Sequence, residues 1–187
     1  MKPSPKTTGT YRRRLREVAR DHHGYVTGKM ATEVGVPSVE LRKMASRGGL
    51  TNVAYGVYRF DDLANGEYGQ FMEAVLRAGE GAYLAGDAVL ALHGLGLVNP
   101  RRIRVGTPRR VRANLPPYIN LVKREVAPDD LTLYESIPSQ TVARALIDSV
   151  GVVMHDRLLA AFHKAREEGL VRQPETQKVL TAIEGRT

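Results

Sequence analysis

Three cations, Arg42, Lys43 and Arg47, fall within six consecutive positions just after Ser38. Guanidinium and ammonium groups spaced this way donate hydrogen bonds to phosphate oxygens and to the guanine edge of a major groove. Leu41, Met44 and Ala45, three and four residues apart, form a helical apolar stripe. That leaves Val39, Arg42, Lys43 and Ser46 on the opposite face, with Arg47 at its margin. A short helix with this outward face is shaped for duplex DNA. Catalytic and metal-binding patterns are weak by comparison. His22 and His23 are neighbours and point to different faces of a helix, and His93, His155 and His163 lack the spacing of a metal pair. Gly28-Lys29 fails both flanking requirements of a phosphate loop, Gly79, Gly81 and Gly86 miss the dinucleotide spacing, and no nucleophile elbow is present. The expectation is a protein that is not an enzyme and uses no cofactor or metal.

The flanking elements are those of a winged helix-turn-helix. Thr27 caps a helix with Met30, Ala31 and Val34 on its apolar side, and Gly35 stops it. Val36 packs the corner, Pro37 sets the next start, and Ser38 is expected to cap the second helix through its hydroxyl. Beyond Gly48 and Gly49 the period changes to alternation. Leu50–Val53 run up one strand, Ala54, Tyr55 and Gly56 form the tip, and Val57–Phe60 return. Arg59 and the small tip suit a ribbon lying along phosphates. An earlier helix, Tyr11–His22, has Tyr11, Leu15, Val18 and Ala19 on one side and an arginine-rich other side, from which Arg13 and Arg14 supply phosphate charge. Residues 1–9 are polar and expected to be unstructured on their own.

The net charge of +8 is unevenly placed. Residues 1–60 carry 12 Lys and Arg against four acids, and the remainder is balanced at 16 of each sign. The surplus therefore sits on the segment that reads as a DNA-binding head. The absence of cysteine excludes disulfides and thiolate metal sites. No apolar run is long enough to span a bilayer and the N-terminus lacks a signal-like apolar segment, so a cytoplasmic protein without membrane partners is expected.

Acidic and polar residues 61–65 suggest a linker, giving a DNA-binding domain over 1–62 and a second domain over 66–187. The second domain reads as helix (69–78), a short buried link (82–84), a small-residue helix ending at Gly94, three strands (within 101–112, 118–123 and 131–136) and closing helices (141–150, 156–168, 173–183). The fold class is thus α+β, a winged helix-turn-helix followed by a small antiparallel sheet with flanking helices. Arg101, Arg102, Arg104, Arg109, Arg110 and Arg112, with Lys123 and Arg124, form a tract without acids. It is either a solvated strand face or a second basic surface for flanking DNA phosphates or an acidic protein. Arg144 and Asp148, one turn apart, are placed to pair as a structural element.

Four stretches, GYVTGKMATEVGVPSVELRKMASRGGL, NVAYGVYRF, AYLAGDAVLALHGL and IPSQTVARALID, occur in an order that resembles the AbiEi-type antitoxins of type IV toxin–antitoxin (abortive infection) systems, the mycobacterial kind in particular. The resemblance spans about residues 24–170. It implies a winged helix-turn-helix that binds inverted repeats in its own promoter, and a C-terminal domain needed to neutralise a nucleotidyltransferase toxin, direct contact with which is not implied. It also implies DNA contacts by Ser38, Arg42, Lys43, Arg47, Tyr55 and Arg59. Tyr55 departs from the family, in which a basic residue is common at the wing tip. The alternative is a winged helix that binds an acidic protein through its arginines. An RNA-handling role is weaker still, because no exposed aromatic platform is apparent.

Overall fold

A computed structural model of the chain describes residues 5–185, and places them in two compact units divided between Arg77 and Ala78. The class is α+β, with eight α-helices and two sheets among the described residues. Of the start expected to be unstructured, residues 1–4 lie outside the described residues. The chain is already helical from Pro5. The division falls at the last residue of the helix Gly69–Ala78, beyond the polar stretch at 61–65.

Unit 1 begins with α1 (Pro5–Asp21), β1 (Tyr25–Thr27), α2 (Gly28–Glu33), α3 (Val39–Ser46), β2 (Leu50–Ala54) and β3 (Val57–Phe60), and ends with α4 (Gly69–Ala78). The three strands form one antiparallel sheet in the order β1-β3-β2. Leu15 and Ala19 of α1, Ala31 of α2, Leu41 and Met44 of α3, and Val26, Leu50, Tyr58 and Phe60 of the sheet make one core with Val36. α1 and α3 each contribute apolar residues three or four apart, so burial selects a single orientation for each. β1 adds a third strand that the sequence reading missed. Its residues Tyr25, Val26 and Thr27 are aromatic or β-branched, the composition of a pleated, half-buried surface.

Unit 2 contains β4 (Tyr83–Leu84), α5 (Asp87–Leu92), β5 (Ile103–Thr107), β6 (Ile119–Lys123), a 3-10 turn (Pro128–Asp130), β7 (Leu131–Tyr134), β8 (Ile137–Gln140), α6 (Val142–Asp148), α7 (His155–Glu167) and α8 (Gln173–Glu184). The sheet is larger than the three antiparallel strands expected. It has five strands in the order β6-β5-β4-β8-β7, and β5–β6 and β4–β8 run parallel. The expected strand over 131–136 ends at Tyr134, where Glu135 and Ser136, at φ 49° and 62°, turn the chain back into β8. Two positive φ values make a type I′ turn, normally the province of Asn-Gly. Pro138 sits one pair beyond the hydrogen-bonded closing pair Tyr134–Ile137, where an antiparallel ladder asks for no donor.

Candidate nucleic-acid interface

The helix pair is set by its turn. Thr27 Oγ1 accepts from the Met30 amide at 3.2 Å and starts α2. Gly35 then adopts φ 72°, which glycine tolerates, and the Val36 amide donates to the Ala31 carbonyl at 2.8 Å. Val36 is buried and fixes the angle at which α3 leaves. Ser38 occupies the cap position but in helical dihedrals, and its hydroxyl makes no capping bond; this corrects the expectation from sequence. Glu40 strengthens the first turn instead, since an acid near a helix N-terminus opposes the partial positive charge there.

α3 presents Ser38, Val39, Arg42, Ser46 and Arg47 to solvent. Neither the Arg42 nor the Arg47 guanidinium has an ion-pair or hydrogen-bond partner among the described residues. Lys43 is different, and here the expected outward cation needs correction. Its Nζ lies 2.6 Å from Glu40 Oε1, and Glu40 is 3% exposed, so the ammonium is held sideways over a buried carboxylate. Sequence reasoning missed Glu40 because one charge at the edge of an apolar stripe reads as solvated.

The wing extends from the same core. A bulge between Asn52 and Ala54 is braced by Asn52 Nδ2, which donates to the carbonyls of Ala54 and Val57 at 2.9 and 3.1 Å. Tyr55 stands fully exposed at the tip. Arg59, expected along phosphates, is only partly exposed, its Nε is buried, and it pairs across the ladder with Tyr25 and Thr51. Strand alternation explains this: Tyr58 and Phe60 face the helices, which puts Arg59 on the other face of the sheet. On that face Tyr25 donates to Glu73 Oε2 at 2.6 Å, and burial with the nearby Glu73 carboxylate holds the phenol well above its usual range.

The arginines of α1 divide into two sets. Arg13 and Arg14 are exposed, Arg14 reaching the Val34 carbonyl at 3.5 Å beside the helix turn. Arg12 and Arg16 both pair with Asp62, and Arg12 lies over the Phe60 ring. The Arg16 guanidinium holds the Asp62 carboxyl below the usual carboxylate range. These two cations fasten the base of the wing. Part of the surplus of the first third is therefore structural.

The tract at 101–124 does not form one surface. Arg104 is turned inward, with Nε 3.0 Å from Asp87 Oδ1 and Nη1 donating to the Asp148 carbonyl at 3.3 Å. Arg109 pairs with Glu80 and Arg124 with Asp148. Arg101, Arg102, Arg110 and Arg112 are exposed, but the first two precede β5 and the others follow it, roughly 20 Å apart along an extended strand. Asp148 gathers Arg144 at 2.6 Å, Arg124 at 3.0 Å and Gln140 Nε2 at 2.8 Å. Burial raises the Asp148 pKa, and these donors outweigh it, so the carboxyl stays below its usual range. This is a satisfied clamp tying α6 to the sheet.

No group of three potential ligands placed to hold a metal ion occurs among the described residues. None of the helices there is long and apolar enough to cross a membrane.

Residues 13–60 match the family model described as transcriptional regulator, AbiEi antitoxin, which covers the helix-turn-helix and the wing. No curated protein matches the chain. Among solved structures it is similar to the RV2827C protein from Mycobacterium tuberculosis at 17% identity and a TM-score of 0.41, over 92% of this chain and 81% of that one, a likeness too distant to bear on activity.

Proposed function

We propose that this chain, whose residues 13–60 match the family model described as transcriptional regulator, AbiEi antitoxin, binds double-stranded DNA through α3 and the wing and represses transcription of its own toxin–antitoxin operon. The observation that carries the reading is the pair of exposed guanidinium groups, Arg42 and Arg47, without a partner among the described residues and on the outward side of a helix whose other face, Leu41 and Met44, is seated in the core behind the Gly35 turn and the Val36 corner. Cations left without an acid on a positively charged unit favour a polyanion. Ser38 and Arg13 and Arg14 would contact the backbone, Val39, Arg42 and Ser46 would face the groove, and Tyr55 would approach from the wing. The operator would be an inverted repeat in the chain's own promoter, and the toxin a nucleotidyltransferase that unit 2 helps to silence.

The test is a titration of duplex containing the region upstream of the gene, at two salt concentrations, against an unrelated duplex. Tighter binding to the upstream region, weakening steeply with salt, is expected. Equal affinity for both, or none, refutes the repressor reading. Binding to an acidic protein in place of DNA would turn the winged helix into a protein-interaction module.

A further inference from the structure

The exposed face of α3 is sparse enough to be read as a specific preference for bases. Helical geometry sets Val39, Arg42 and Ser46 within about 60° of one another around the axis. Their chemistry differs. Val39 is a large apolar side chain left 40% exposed on the first turn of the helix. It has no hydrogen bond to offer, and the apolar feature on a major-groove edge is the thymine methyl. Arg42 keeps all its donors free among the described residues, and its fork matches O6 and N7 of guanine. The Ser46 hydroxyl already donates to the Lys43 carbonyl at 2.9 Å, so it retains only acceptor capacity and cannot select among bases in the same way. Lys43 is committed to Glu40 at 2.6 Å, and swinging toward DNA would leave that buried carboxylate alone.

We propose that Val39 and Arg42 are the specificity-determining residues of this protein, recognising a thymine and a guanine on adjacent base pairs, and that Glu40 keeps Lys43 out of base readout. Three residues of helix advance about 4.5 Å, against about 3.4 Å for one base-pair step, so the two side chains meet neighbouring pairs. The N-terminal part of a recognition helix is the part that meets base edges, and both residues lie in the first half of α3. The inference rests on the DNA-binding reading above and adds to it which bases are read, and by what.

The experiment is selection from a randomised duplex library with the full chain, followed by titration of the best site. The wild type should enrich a site with T next to G. Arg42→Ala should lose the guanine preference alone, a drop of about 5- to 150-fold in discrimination. Replacing that thymine by uracil, which deletes only the methyl, should weaken wild-type binding about 4-fold and leave Val39→Ala unaffected. Glu40→Gln combined with Lys43→Met, which removes both charges together, should select the same site as the wild type. A motif lacking adjacent T and G, a guanine preference that survives Arg42→Ala, or a motif changed by the double variant overturns the assignment while leaving DNA binding intact. Enrichment of no motif overturns both.

Discussion

The pair of Lys43 with Glu40 yields a quantitative expectation about folding. Lys43→Ala leaves a carboxylate that is 3% exposed without the cation that pairs with it among the described residues. Removing one partner of a fully buried pair costs about 3–5 kcal/mol. Here the lysine side chain is 41% exposed, so water already screens part of the attraction. A loss of about 2 kcal/mol is the appropriate figure. Adding Glu40→Gln removes the stranded charge and should recover about half of it, about 1 kcal/mol, which with the cost of Glu40→Gln alone gives the coupling of the pair in a double-mutant cycle. Urea unfolding followed by far-UV circular dichroism and tyrosine emission measures this, since the chain has eight Tyr and no Trp. With a slope of about 2 kcal/mol/M, the midpoint for Lys43→Ala should fall by about 1 M. A fall below about 0.2 M, or a double variant no more stable than Lys43→Ala, would show that the ammonium is not needed by the carboxylate.

Three further outcomes follow from the geometry. Tyr55→Ala should leave the unfolding midpoint unchanged, because the side chain is fully exposed, and should weaken DNA binding several-fold on every duplex; unaltered affinity in an anisotropy titration removes the wing tip from the interface. Gly106→Ala should destabilise unit 2 by about 1–3 kcal/mol, because the new Cβ would lie 2.3 Å from the Tyr83 ring, and urea unfolding of a second variant carrying Tyr83→Ala as well should show a smaller penalty for the same change. For Asp148 the folded carboxyl titrates below its usual value, so its contribution is complete above about pH 4 and is lost as pH falls through the folded pKa. Asp148→Asn should therefore be destabilised by about 2–3 kcal/mol at pH 7, and the gap to the wild type should narrow as the pH falls below about 4; a gap in thermal unfolding that stays constant through the acid range contradicts the clamp.

The helix pair, its glycine corner and the wing were legible from the sequence because each is written in local chemistry: a period of three to four, a residue able to take positive φ at Gly35, then alternation from Leu50. What escaped detection depends on partners distant in the chain. β4 is two residues long and becomes a strand only through β5 and β8. β8 was hidden by Pro138 and by a Glu-Ser turn in place of the usual Asn-Gly. At the interface, the outward set Val39, Arg42, Ser46 and Arg47 follows from periodicity, whereas the sideways turn of Lys43 and the inward turns of Arg59 and Arg104 depend on which carboxylate or strand face waits beside them. Charge counts on a sequence do not distinguish a cation offered to a ligand from one consumed inside the fold.

Under the proposed function, that distinction bears on how unit 1 would divide its labour on DNA. Asp62 takes up Arg12 and Arg16, and Glu40 takes up Lys43, so two acids neutralise or hold three of the cations of unit 1. A surface with every one of these cations free would bind any duplex strongly, because phosphate contacts carry no sequence information. Withholding three reduces that uniform attraction and raises the relative weight of the few side chains that meet base edges. The same pairs fasten the wing base to α1 and hold the first turn of α3. The acids near the interface thus favour rigidity and discrimination together. Charge reversal at Asp62, for example Asp62→Lys, should accordingly raise affinity for unrelated duplex more than for the selected site; a larger gain at the selected site, measured by parallel titration at one salt concentration, would refute this division.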